Sequence, residues 1–162
     1  MIEFKNKKAG HQEGLFKTLF SASLLNFFLG AIALFLDIIF EVPSFPLNKN
    51  FSLFLALTLV ALYISILFWS ASLLSSAKKK GSLAKTGIYS FCRHPMYAGV
   101  VFLLNPALAL FFRSWLLIIV CIISYFIWRN TALKEEKDLI KVFGREYEDY
   151  RNKTGCLFLK VW

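Results

Sequence analysis

The chain is 162 residues long, 57% of them hydrophobic and 17% aromatic, with a mean hydropathy of +0.58. A soluble domain of this size needs more polar cover, so the composition excludes one and places the chain in a membrane. Its formal net charge of +9 is read as a basic face against anionic lipid, and the placement of the lysines and arginines explains it without nucleic-acid binding.

A spanning helix takes about 20 mostly apolar residues. The first such run extends from Leu15 to Phe40, preceded by Lys5, Lys7 and Lys8. It exceeds the roughly 7–15 residues of a secretory signal core and ends at no small-residue cleavage site, so it is read as a helix. Glu41 to Asn50, with Pro43 and Pro46, is read as a short external turn before a second helix from Phe51 to Ala77. A third apolar block, Met96 to Trp128, is too long for one helix and breaks at Arg113-Ser114. It is expected to fold as a tight hairpin whose short arms draw on flanking residues such as Arg129 to Leu133.

Lys5, Lys7, Lys8 and Lys17 precede the first helix, and Lys78, Lys79, Lys80, Lys85 and Arg93 follow the second, whereas Lys49 and Arg113 fall on the opposite side. This bias predicts four spans with both termini in the cytoplasm. The expected fold is therefore all-α: an integral membrane protein with four transmembrane helices, the last two a hairpin, and a cytoplasmic helical tail. Residues 1–80 carry the first two helices and residues 81–162 a functional half of the same structural unit. Cys92, Cys121 and Cys156 have no metal-ligand spacing and are read as reduced, structural thiols.

Chemistry-bearing residues concentrate in Arg93-His94-Pro95-Met96-Tyr97-Ala98-Gly99, polar and ring-bearing groups that are costly to hold beside hydrocarbon. The hairpin brings this segment to the same membrane face as Arg129, Glu135 and Glu136, with Gly87-Ile88-Tyr89 ahead of it and the tail through Tyr150 behind. Taken singly, each residue has a plain explanation. Pro95 suits a first helical turn, Arg93 and His94 can snorkel toward phosphates, and Tyr147 and Tyr150 read as an interfacial aromatic belt. On a continuing helix, Arg129 and Glu136 lie about two turns apart on one face, with Glu135 beside them, although Lys134 to Asp138 also suit a solvated surface. Asn26 and Asn105 are placed to hydrogen-bond between helices, Asp37 reaches the external interface, Pro106 is expected to kink its helix, and Gly99 permits close approach.

The run Lys85-Thr86-Gly87-Ile88-Tyr89, then Arg93 through Gly99, then Arg129, Glu135-Glu136, Leu139, Phe143-Gly144, Glu146-Tyr147 and Tyr150 resembles the isoprenylcysteine carboxyl methyltransferase and phospholipid methyltransferase superfamily. The resemblance covers the C-terminal half, and its specificity lies in several separate motifs occurring in order. It implies methyl transfer from S-adenosylmethionine to a lipidic or small hydrophobic acceptor, without a metal. It further implies that Tyr89, His94, Pro95, Tyr97, Gly99, Glu135 and Glu136 line the cofactor pocket. Arg129 would grip an acceptor carboxylate, while an acceptor amine would call on Glu136 or His94 as base. The tail departs from the family pattern, because Thr154 to Trp162 contains no proline. Two other readings compete: a nicotinamide-dependent reductase of the sterol reductase type, and a four-helix transporter or assembly factor, which would place functional polar groups deep in the bilayer.

Overall fold

The computed structural model describes the backbone of residues 2–158 and the side chains of residues 18–158. Helix α1 (Ile2–Ile39) is followed by α2 (Lys49–Lys80), a 3-10 turn (Gly87–Ser90), α3 (Pro95–Gly99), a π turn (Val100–Leu104), α4 (Asn105–Phe112), α5 (Trp115–Phe143) and α6 (Arg145–Lys153). Four segments are long and apolar enough to cross a membrane: Thr18–Ile39, Lys49–Lys80, Pro95–Phe112 and Trp115–Phe143. The third is one rod built from α3, the π turn and α4. At 1.5 Å per residue it reaches about 27 Å, whereas α2 reaches about 48 Å and must project beyond the hydrocarbon.

Local chemistry sets the helix ends. Asn48 caps α2 by accepting from the amides of Asn50 and Phe51, and Gly81 closes it in the left-handed conformation at φ 66°. Lys78, Lys79 and Lys80 fill the last turn, where the helix dipole favours cations. The hairpin turns where expected. Arg113 adopts φ 55° and the Ser114 hydroxyl accepts from the Leu117 amide at 3.0 Å. Left-handed backbone is strained for arginine, and the external turn holds it in place. The Phe45 amide donates to the Arg113 carbonyl at 3.0 Å, the Arg113 guanidinium donates back to the Phe45 carbonyl, and the Phe45 ring meets Trp115 edge-on at 4.5 Å. Pro106 lacks the N–H an α-helix would use, and the chain opens into the π turn just before it.

The hairpin lies at the centre, with α1 packed along α5 and α2 along the α3–α4 rod. Lipid tails are as apolar as leucine, so small residues and internal polar bonds hold such helices together. Ala22, Ala33, Ala56, Ala107, Ala109 and Ala132 are buried, while Phe27, Phe35, Ile38, Phe68 and Phe126 face outward. Asn26 of α1, Asn105 of α4 and Ser124 of α5 satisfy one another: Asn26 and Asn105 exchange amide bonds at 3.1 and 3.3 Å, and the Ser124 hydroxyl lies 2.6 Å from each. After α6 the chain runs beside the segment that leads into α3, forming a parallel bridge between Cys92 and Gly155.

Candidate active site

Two short backbone devices aim the segment before α3. Gly87 sits at φ 61°, where a Cβ would lie 2.8 Å from Leu73, so the 3-10 turn presses against α2 as only glycine permits. Pro95 then opens α3 in the first turn, immediately after His94. The amides of Arg93 and His94 donate to the carbonyls of Gly155 and Cys156 at 2.9 and 3.1 Å. The site is thus clamped between the hairpin and the tail.

The charged groups of α3 and α5 meet there. Arg93 Nε donates to Glu136 Oε1 at 2.8 Å, and its Nη1 donates to the carbonyls of Arg151, at 3.0 Å, and Thr154. His94 Nε2 lies 3.3 Å from Glu136 Oε1 and Nδ1 lies 3.5 Å from Glu135 Oε2. The Tyr97 hydroxyl, one turn further along, donates to Glu135 Oε2 at 2.5 Å. Ring stacking continues inward: His94 lies parallel to Tyr97 at 5.1 Å, and Tyr97 packs against Trp128 at 5.1 Å. Burial pushes the His94 imidazole toward neutrality, but the hydrogen bonds and charges of Glu135 and Glu136 outweigh it and raise its pKa above the ordinary value. A carboxylate faces each ring nitrogen, an arrangement that favours the protonated imidazole.

The two glutamates differ in exposure. The Glu136 side chain is 3% exposed and held by Arg93 and His94; that of Glu135 is 20% exposed. Glu135 and Tyr97 line a small cleft, open to solvent, together with Thr18 and Leu19 of α1 and Thr131, Lys134 and Asp138 of α5. Lysine and carboxylates in one cleft suit the ammonium and carboxylate of a zwitterion. Two buried donors, Trp128 Nε1 and the Tyr147 hydroxyl, have no hydrogen-bond partner among the described residues. Unpaired buried donors are costly. The lining of the cleft fits the ammonium and carboxylate groups of a cofactor. Donor atoms of His94, Glu136 and Cys156 also lie within 4.8 Å of one another, and Arg93 donates to Glu136 Oε1 there.

Of the residues singled out in the sequence, His94, Tyr97, Glu135 and Glu136 form one cluster. Tyr89 is buried nearby, its carbonyl accepting from the Tyr150 hydroxyl at 2.6 Å. Burial, then the charge of Glu135, pushes its phenol up to about 12. Pro95 is buried at the helix start. Gly99 packs against α2, where a Cβ would stand 3.0 Å from the Tyr63 ring. Arg129 is exposed and makes no hydrogen bond or ion pair among the described residues. Sequence reasoning underrated Tyr147 and Tyr150. They are 1% and 8% exposed, sealed under α6 rather than spread along the interface. Their spacing of three on an otherwise charged helix carried that signal. Lys134 and Asp138 as cleft-lining residues were not anticipated.

Known proteins share this segment. The model of the isoprenylcysteine carboxyl methyltransferase (ICMT) family matches residues 48–141. Protein-S-isoprenylcysteine O-methyltransferase of Saccharomyces cerevisiae is 36% identical over 73 residues, covering 45% of this chain and 30% of the yeast protein. The Mus musculus protein of the same name is 32% identical over 89 residues, covering 49% of this chain and 29% of its own length. The matched part thus spans less than a third of either relative. A match over more than half of the chain, carrying the His94 and Glu135-Glu136 cluster with it, makes this protein a member of the isoprenylcysteine carboxyl methyltransferase family.

Proposed function

We propose that this membrane protein is an S-adenosylmethionine-dependent methyltransferase acting on the carboxylate of a lipidic acceptor of the S-isoprenylcysteine type, with its site on the cytoplasmic face. The observation that carries the reading is the convergence of His94, Tyr97, Glu135 and Glu136 where the ends of α3 and α5 meet the tail. Lys78, Lys79, Lys80 and Lys85 belong to the same end of the molecule, which the positive-inside rule assigns to the cytoplasm.

When bound, the cofactor supplies a methyl group already activated on a sulfonium. Glu135 receives its ammonium, and Lys134 on the same cleft wall receives its carboxylate. His94 and Tyr97 fix the Glu135 carboxylate, and Arg93 fixes Glu136, so little reorganisation accompanies binding. The Arg129 guanidinium, at the lipid–water edge, grips the acceptor carboxylate. An oxygen acceptor of this kind is anionic at neutral pH and needs no base. That matters for choosing the acceptor, since an amine would need one, while both ring nitrogens of His94 already face carboxylates and Glu136 is committed to its ion pair with Arg93. Positioning and exclusion of water then do the work. The transporter reading is disfavoured because the deep polar residues Asn26, Asn105 and Ser124 are spent on one another.

The test is a titration of the purified full chain in detergent with S-adenosylmethionine, S-adenosylhomocysteine and NADPH. Micromolar binding of the two adenosyl compounds alone is expected, lost in Glu135→Gln with the protein still folded. Binding of NADPH alone, or of none of the three to folded protein, overturns the reading.

A further inference from the structure

A second constellation lies on the bilayer side of the charged cluster. The Phe158 ring sits 4.3 Å from Phe102 and 5.9 Å from Tyr125, and those two rings are 6.4 Å apart. Phe102 belongs to the π turn on one arm of the hairpin and Tyr125 to α5 on the other, so the tail residue bridges the seam between the arms. Its placement is anchored. Residues 155 and 156 pair with Arg93 and His94, and Leu157 is buried against the group containing Tyr97, Trp128 and Ala132. Phe158 itself remains 55% exposed.

Depth and register align this aromatic trio with the proposed acceptor cation. Phe102 lies about 10 Å along the rod from Pro95, and Tyr125 about 6 Å from Arg129, both toward the membrane interior. Tyr125 and Arg129 are one helical turn apart on the same face of α5. Arg129 is also close enough to Cys156 for its charge to act on that thiol. From the water edge inward, one face therefore presents a guanidinium, then the strapped tail, then three rings with half-open faces. An amphipathic molecule with a carboxylate head and an apolar chain matches that sequence of chemistries. A soluble acceptor would leave the rings unused.

We propose that Phe158, together with Phe102 and Tyr125, receives the apolar chain of the methyl acceptor and sets the enzyme's preference for chain length. The inference rests on the methyl-transfer reading above and adds the residue that reads the acceptor. The three rings supply contact area that grows with the length of the chain laid across them, whereas the head contributes the same at Arg129 for every acceptor. Phe158 is thus a specificity residue in the acceptor's path, held there by the tail.

The experiment uses the full chain in phosphatidylcholine vesicles with two probes, N-acetyl-S-farnesylcysteine and the short-chain N-acetyl-S-prenylcysteine. Phe158→Ala is expected to raise KM for the farnesyl acceptor about tenfold while changing that for the prenyl acceptor far less, and Phe158→Leu to restore most of the difference. Independently of turnover, p-benzoylphenylalanine in place of Phe158 should photocrosslink radiolabelled N-acetyl-S-farnesylcysteine, with unlabelled compound competing. An unchanged ratio of KM values together with crosslinking to bilayer lipid alone overturns the proposal while leaving methyl transfer standing. Competed crosslinking without methylation of either probe supports the chain site and refutes the methyl-transfer reading instead.

Discussion

Arg93→Ala should do more damage than any other single change at the site, and its cost follows from the contacts. The guanidinium, 9% exposed, pairs with a Glu136 side chain that is 3% exposed. Removing one partner of a buried ion pair costs about 3–5 kcal/mol, because the remaining charge is left uncompensated. Here His94 stays against the same Glu136 oxygen at 3.3 Å, which places the loss near the lower end, about 3 kcal/mol. The part-buried carbonyl of Thr154 also loses its donor, adding about 1 kcal/mol, whereas water replaces the donor at the exposed Arg151 carbonyl. The expected sum is about 4 kcal/mol, read as a lowered unfolding midpoint in a denaturant titration in detergent. Because the same side chain ties the tail to α5, limited proteolysis should cut near residues 151–158 much faster in the variant. Arg93→Lys keeps a charge for Glu136 but cannot hold both carbonyls, so it should keep most of the global stability and still expose the tail. A variant within about 0.5 kcal/mol of the parent, with the tail equally protected, would refute the claim that Arg93 is the strap.

Other consequences are simpler to state. The raised pKa of His94 means that its contribution to stability is fully present below about pH 6.5 and fades as pH rises through its higher folded value. Melting temperature should therefore fall over that interval in the parent chain and stay flatter in His94→Gln; parallel curves would refute the imidazolium assignment. Arg129→Ala should leave the dissociation constant for S-adenosylhomocysteine within about twofold and lower labelled methyl transfer by about 100-fold or more, and a matching collapse of binding would show that Arg129 serves the cofactor. Asn105→Ala breaks the three-way bond within the bilayer but leaves Ser124 and Asn26 together at 2.6 Å, so the loss measured by detergent-induced unfolding should be about 1 kcal/mol.

Much of the architecture was legible because membranes impose simple arithmetic. The apolar runs found the four spans, and Arg113-Ser114 marked the hairpin turn, which the structure closes with a left-handed Arg113 and a Ser114 cap. Helix α2 runs beyond the expected Phe51 to Ala77 at both ends, since Asn48 and Gly81 cap it outside the hydrophobic stretch that hydropathy detects. Hairpin geometry brought the Arg93 to Tyr97 segment and the end of the last helix to one membrane face, and the family resemblance singled out His94, Glu135 and Glu136 there. What remained hidden depended on tertiary packing. Nothing in the local sequence distinguishes Glu136, sealed behind Arg93, from Glu135, which borders the cleft. The tail's pairing with Arg93 and His94 was also out of reach, because a parallel bridge of this kind joins segments some sixty residues apart and leaves no periodicity to read. Gly99 illustrates the same limit. A glycine announces close approach but not by what, and here Tyr63 fills the space.

The widened turn over Val100–Leu104 acts as a frame shift in the helix. In an unbroken α-helix, the eight steps from Tyr97 to Asn105 would leave the two side chains about 80° apart around the axis, whereas one looped-out residue brings them within about 20°. Both then address the same stripe of α5, Tyr97 reaching Glu135 and Asn105 reaching Ser124 about three turns away. The widened turn is accordingly a phase setting: winding all eight steps as regular α-helix would rotate its wet end about 80° out of step with its dry end.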